Sequence, residues 1–149
     1  YLEGHGPADA ADLARWAGIP LGDARRGLAG ISSDVVKFPG GLVDLADRDP
    51  PAALPAPLLL GPFDPVLLGW VSREPFVGQH QVVTSNGIFR PFAMVDGRVI
   101  ATWRLGGNTI TVRLLEPVAP GAVAALEREA TDILQFLGRP AGGGATFVD

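Results

Sequence analysis

The feature that most limits how this chain can fold is a proline-rich stretch at residues 47–57 (DRDPPAALPAP). Proline has no amide hydrogen and restricts the residue before it, so this stretch continues neither a helix nor a central strand. We interpret it as a stiff, extended linker between two folding blocks. The 149 residues, of which 47% are hydrophobic and 19% charged, suffice for two small domains with buried cores.

The block before the linker, residues 1–46, combines helical spacing with strand-like runs. A first helix is predicted to begin at Pro7 and to stop at Gly18, since proline suits a helix start and glycine a helix end. A second helix is predicted from Pro20 to about residue 28. Two short apolar runs around Pro-Gly-Gly then indicate a hairpin. The order of these elements predicts a winged helix-turn-helix domain.

The block after the linker, residues 58–137, is predicted to be an antiparallel β-barrel-like domain with a C-terminal amphipathic helix, which makes the fold class α+β. A brief strand and a short helix starting at Asp64-Pro65 precede three strands between residues 82 and 118. Asp96-Gly97 supplies one hairpin turn, because glycine tolerates positive φ. Gly106-Gly107-Asn108 supplies the next.

Alternation along these strands predicts that Arg98, Thr102 and Arg104 share one face. The last helix has apolar residues at helical spacing, from Val123 to Leu137, and Glu127, Glu129 and Asp132 on the side predicted to face water. The tail, residues 138–149, is predicted to be flexible.

Composition excludes several kinds of site. The chain has no cysteine and two histidines, so disulfides, thiolate zinc sites and a cysteine nucleophile are ruled out. Motifs for phosphate-binding loops, serine hydrolases, zinc peptidases and dinucleotides are absent. We assign no catalytic residue, metal or cofactor. No apolar run or signal pattern suits a membrane or secretion, so a cytoplasmic location is expected.

The net charge of −4 conceals an uneven distribution. Residues 71–115 contain five arginines and two acids, a balance of +3, whereas residues 1–50 and 116–149 each carry −3. Eleven of the twelve cations are arginines, whose planar guanidinium matches phosphate oxygens in pairs. An anionic partner is therefore expected to meet the middle segment first.

Nine polar residues are candidate contacts to nucleic acid. Arg25 and Arg26 lie on the second helix, which would face the major groove, and Lys37 lies on the predicted wing. The simpler interpretation is solvated side chains, or ion pairs with Glu74 or Asp96 for the strand arginines. The full set is Arg25, Arg26, Lys37, Arg73, His80, Asn86, Arg90, Arg98 and Arg104.

The order of these motifs resembles the C-terminal part of AlkZ-like DNA glycosylases, over residues 1–137. The most specific shared elements are Phe63-Asp64-Pro65, Asn86-Gly87, Arg90-Pro91, Asp96-Gly97-Arg98 and Thr102-Trp103-Arg104. The resemblance implies bacterial excision of alkylated or crosslinked bases, with winged helices and a small β-barrel forming a concave surface for double-stranded DNA. It also implies upstream winged-helix domains of the same full-length chain as partners.

The catalytic signature of that family is a glutamine, an apolar residue, and a glutamine or aspartate, located upstream. Gln79-His80-Gln81 has a polar centre and precedes a strand of the second block, so catalysis is not transferred to it. The expectation is a DNA-binding and scaffold fragment without glycosylase activity of its own.

Two alternatives remain open from the sequence. In a ligand-sensing regulator, the barrel would hold an apolar small molecule among residues such as Phe89, Phe92 or Trp103. In an interaction module, the acidic last helix would bind another protein.

Trp16, Trp70 and Trp103 occupy apolar periodic positions and are predicted to be core residues.

Overall fold

The computed structural model describes residues 1–49 and 53–148, which form two compact units. The first comprises Tyr1–Ala52 and Pro65–Ser72, and the second comprises Ala53–Asp64 and Arg73–Asp149. Part of the predicted linker, residues 50–52, lies outside the described residues. The domain limits expected from the sequence stay a prediction.

The first unit contains four short helices: α1 (Leu2–His5), α2 (Ala10–Ala17), α3 (Leu21–Gly30) and α4 (Pro65–Leu68). The prediction that Pro7 opens α2 is wrong. The Asp9 carboxylate caps the helix by accepting hydrogen bonds from the amides of Ala11 and Asp12 at 2.7 and 2.8 Å, so α2 begins at Ala10, three residues after Pro7. Gly18, with φ of 65°, ends α2 as predicted.

A two-stranded hairpin completes the first unit. Strands β1 (Val35–Lys37) and β2 (Val43–Leu45) are antiparallel, and they are connected through a 3-10 turn at Pro39–Gly41. Gly40 has a φ of 79°, a conformation that glycine adopts without steric strain. The predicted hairpin is therefore confirmed, whereas the winged-helix assignment stays a prediction.

Asp12 connects α2 to the later segment of the first unit. Its side chain is buried, and Oδ1 accepts a hydrogen bond from the Val71 amide at 2.8 Å. Oδ2 accepts a second bond from the Asp9 amide at 3.2 Å. The hydroxyl of Tyr1 donates to the Gly69 carbonyl at 3.2 Å. Residues 65–72 are thus held by polar contacts that the sequence pattern did not indicate.

The second unit is built on a five-stranded sheet in the order β3-β4-β5-β6-β7. Its strands are β3 (Leu58–Leu60), β4 (Phe92–Val95), β5 (Arg98–Gly106), β6 (Thr109–Leu114) and β7 (Gly144–Val148). The first four are antiparallel neighbours, and β7 pairs in parallel with β6. The sheet of the described residues is open, so the barrel-like prediction is wrong in its closure.

The two hairpin turns lie where the sequence places them, at Asp96-Gly97 and at Gly107-Asn108. The expected flexible tail instead contributes β7, because Ala145 and Phe147 pack against the core while the backbone of β7 pairs with β6. Residues 144–148 form a strand because their backbone pairs with the edge of β6.

Two helices accompany this sheet, the short α5 (Glu74–Val77) and the long α6 (Pro120–Phe136). The buried residues of α6 are Leu126, Ala130 and Leu134, all within the predicted stripe. Glu129 was expected to face water but is half-buried, with Oε1 accepting from the Leu59 amide at 3.4 Å. No helix among the described residues is long and apolar enough to cross a membrane.

The core of the second unit lies between α6 and one face of the sheet. Its buried members are Leu59, Ala93, Ile100, Ala101, Ile110, Val112, Leu126, Ala130 and Leu134.

Candidate nucleic-acid interface

The register of the second unit places two arginines on the sheet face away from α6. Arg113 pairs with Thr102 across β5 and β6, and Arg104 pairs with Thr111. Residues directly opposite each other in a sheet project to the same side, and so do alternate residues of one strand. Arg104 and Arg113 therefore share a face, which β7 extends through Val148, the partner of Arg113.

These residues line an open groove of about 510 Å³, which we call the arginine groove. Three of its side chains are exposed arginines, and none of the described residues that line it is acidic. The lining residues are Arg90, Pro91, Thr102, Trp103, Arg104, Thr111, Arg113 and Val148.

The groove offers donors to an anion. Guanidinium groups provide planar pairs of N–H donors that match phosphate oxygens, and the described residues of the lining include three of them. Thr102 and Thr111 add hydroxyl groups at its floor, although Thr102 is itself buried. Among the described residues, the lining contains no carboxylate, histidine or thiol. It offers positive charge and hydrogen-bond donors.

Arg113 is the groove residue that the candidate set omitted. The pattern Thr109, Thr111, Arg113 alternates with apolar residues, and it places Arg113 on the polar face of its strand. The sequence therefore contained a signal for the strand face of Arg113. The sequence did not give the register with β5, which brings Arg113 beside Thr102 and two positions from Arg104.

Arg98 does not line the groove. It begins β5, six residues before Arg104, and strand geometry separates the two by roughly 20 Å. Its guanidinium instead lies near Gly78, where an added Cβ would be 3.2 Å from Nη2. Sharing a strand face therefore did not place the two arginines in one site.

Arg73 also lies outside the groove, within a cluster of aromatic rings. Its Cζ is 4.9 Å from the ring centroid of Phe89, a cation–π distance. Phe89 in turn contacts Phe63, with centroids 5.5 Å apart and ring planes tilted by 47°. We call Phe63, Arg73 and Phe89 the aromatic cluster.

His80 and Asn86 both have partners within the second unit. The Nε2 of His80 lies 3.0 Å from Oε2 of Glu116, so this ring is paired with a carboxylate. Asn86 is exposed at its turn and accepts a hydrogen bond from the hydroxyl of Thr84. Both residues therefore have a structural role, and their contact with DNA stays a prediction.

The candidates of the first unit are all exposed. Arg25 and Lys37 face solvent, whereas Arg26 forms an ion pair with Asp23 on the same helix. Trp16, predicted to be core, is 50% exposed and tilts against the His5 ring at a centroid distance of 5.5 Å. Trp16 lies one residue before the end of α2, and its ring also contacts Tyr1 at a centroid distance of 5.4 Å, so the prediction that it is a core residue is wrong.

The comparison with known families covers nearly the whole chain. The family described as DNA glycosylase AlkZ-like matches residues 1–136. The chain belongs to the AlkZ-like DNA glycosylase family. The resemblance deduced from its motifs is thereby confirmed.

A solved structure supports the same fold. The chain is similar to the Streptomyces sahachiroi DNA glycosylase AlkZ, with a TM-score of 0.80 and 22% sequence identity. The match covers 99% of this chain and 43% of the AlkZ chain, so the chain spans less than half the length of that relative. No curated protein sequence matches it.

Proposed function

We propose that this chain is the DNA-binding and scaffold portion of an AlkZ-like glycosylase that acts in base excision repair of alkylated or crosslinked DNA. The observation that carries the proposal is the convergence of Arg90, Arg104 and Arg113 on one groove. Family membership supplies the reaction class. In this proposal, α2, α3 and the hairpin act as a winged helix that completes the contact with double-stranded DNA.

The groove would hold the sugar–phosphate backbone. Phosphate contacts fix the register and orientation of a protein on a duplex but do not read sequence. A glycosylase needs such a grip because it excises a base chosen by its damage and not by its sequence.

Catalysis is proposed to depend on residues outside these 149. The Gln79-His80-Gln81 triplet lacks the apolar centre of the family signature, and its histidine is paired with Glu116. The AlkZ chain is more than twice as long as the matched region, which leaves room for the signature and for further winged helices. We expect no base excision by this chain alone.

Duplex binding at varied salt tests the proposal. Arg104→Ala and Arg113→Ala are each expected to weaken binding to a fluorescein-labelled duplex about tenfold at low salt, or about 1.4 kcal/mol. Each variant should also reduce the slope of log K against log salt by about 0.9, because one phosphate contact and its released counterion are lost. Fluorescence anisotropy measures both quantities.

The matched control is Arg128→Ala, which removes an exposed arginine of α6 in the same unit. It should leave both the affinity and the salt slope nearly unchanged. Full affinity in the two groove variants, or an equal loss in the control, would place the DNA contact elsewhere.

The regulator alternative is not favoured. It requires an apolar chamber inside a closed barrel, and the sheet of the described residues is open. Phe92 and Phe89, expected to line that chamber, are 0% and 8% exposed within packed protein. No observation favours the interaction module either.

A further inference from the structure

Phe63 holds an aromatic ring partly in solvent on a strained backbone. Its φ is 61°, in the left-handed region that L side chains rarely adopt, and the residue is 50% exposed. Glycine would adopt this φ without steric strain and would expose no apolar side chain. Turn geometry and core burial therefore do not by themselves account for a phenylalanine at this position.

The ring is held from one side by the aromatic cluster. Phe89 is buried, its ring meets that of Phe63 at a tilt of 47°, and Arg73 covers Phe89. Phe89 is anchored by an isolated bridge to Val83. The support is therefore fixed, while half of the Phe63 surface remains open to a ligand.

We propose that Phe63 is a stacking platform for an unpaired base of bound DNA. This inference rests on the proposed function. A flat apolar ring suits a flat aromatic partner, and every nucleobase has such a face. Bases inside a duplex are stacked on neighbours that cover both of their faces, and an unpaired base leaves that stack at the lowest cost and then offers a free face. Arg90, which lines the arginine groove, directly follows Phe89 in the chain.

The test uses the 149-residue chain and two duplexes that contain one 2-aminopurine, either opposite an abasic analogue or paired with thymine. The chain should bind the unpaired duplex about tenfold more tightly, and the 2-aminopurine fluorescence should rise on binding, because a base that leaves the duplex loses the stacked neighbouring bases that quench it. Phe63→Leu keeps an apolar side chain but removes the aromatic face. It should abolish both the preference and the rise in fluorescence while leaving affinity for the paired duplex within about twofold.

Two further variants make the outcome decisive. Phe136→Leu, which alters a phenylalanine that is 89% exposed at the end of α6, should retain the preference. Phe63→Trp should retain or increase it, and it decides the matter if thermal unfolding shows that Phe63→Leu is poorly folded. Equal binding of both duplexes by the unchanged chain, or a preference that survives in Phe63→Leu, would overturn the inference.

The same data separate this inference from the proposed function. Binding of the paired duplex that depends on Arg104, but without preference for the unpaired base, would overturn the stacking platform alone. Failure to bind either duplex would overturn both.

Discussion

Replacing the buried Asp12 by alanine should destabilise the first unit by a predictable amount. Its two oxygens accept hydrogen bonds from the amides of Val71 and Asp9, at 2.8 and 3.2 Å, and the residue is 7% exposed. A buried amide left without an acceptor costs about 1–3 kcal/mol. Because the Asp9 amide at the helix start can recover water more easily, we expect the free energy of unfolding to fall by about 2–4 kcal/mol in total.

Asp12→Asn separates hydrogen bonding from charge and shape, because it keeps one acceptor oxygen. It should cost about half as much as Asp12→Ala. The control Asp23→Ala removes an exposed carboxylate whose partner is Arg26, and it should change stability by less than about 0.5 kcal/mol.

Urea unfolding followed by tryptophan fluorescence measures these changes, since Trp16 and Trp70 both belong to the first unit. The reasoning is refuted if Asp12→Ala costs less than about 0.5 kcal/mol, or if Asp12→Asn costs as much as the alanine variant.

Two further predictions concern the two ends of the chain. Burial, and next the Asp12 carboxylate, raises the pKa of Tyr1 to about 12. The free energy of unfolding should therefore fall as pH rises from about 10 to 12, because the unfolded chain releases the phenol proton first. The phenolate absorbance of the single tyrosine measures this titration. An equal loss of stability over the same pH range in Tyr1→Phe would contradict the assignment. Removing residues 142–149 should cost the second unit at least about 2 kcal/mol in thermal or urea unfolding, because Phe147 leaves the core. The exposed Thr146→Ala should cost far less, and a harmless truncation would contradict the structural role of β7.

Local signals predicted most of the secondary structure. Gly18 ends α2, and Asp96-Gly97 forms the turn between β4 and β5, because only a few residue types tolerate positive φ. The apolar stripe of α6 likewise identified the helix face that packs on the sheet. The start of α2 was misplaced because Pro7 and Asp9 are both suitable near a helix start, and the capping hydrogen bonds of Asp9 determined the first residue.

The sequence predicted an arginine-rich site but not which arginines form it. Charge counting found the arginine-rich segment, and alternation assigned arginines to strand faces. Neither could distinguish Arg98 from Arg113, because distance along a strand and pairing across strands are properties of the assembled sheet. The aromatic cluster was missed because nothing in the sequence around Phe63 indicates a left-handed backbone.

The amino-acid sequence by itself determined the family, helices α2, α3, α4 and α6, strands β1 to β6, the turns, and the segment that carries positive charge. Each of these depends on residues close together in the chain, whose backbone preferences and spacing act locally. The tertiary structure alone decided that the sheet stays open, that residues 144–148 join it in parallel, and that Arg90, Arg104 and Arg113 share a groove. These outcomes depend on hydrogen bonds and packing between residues far apart in sequence, whose free energies no local pattern contains.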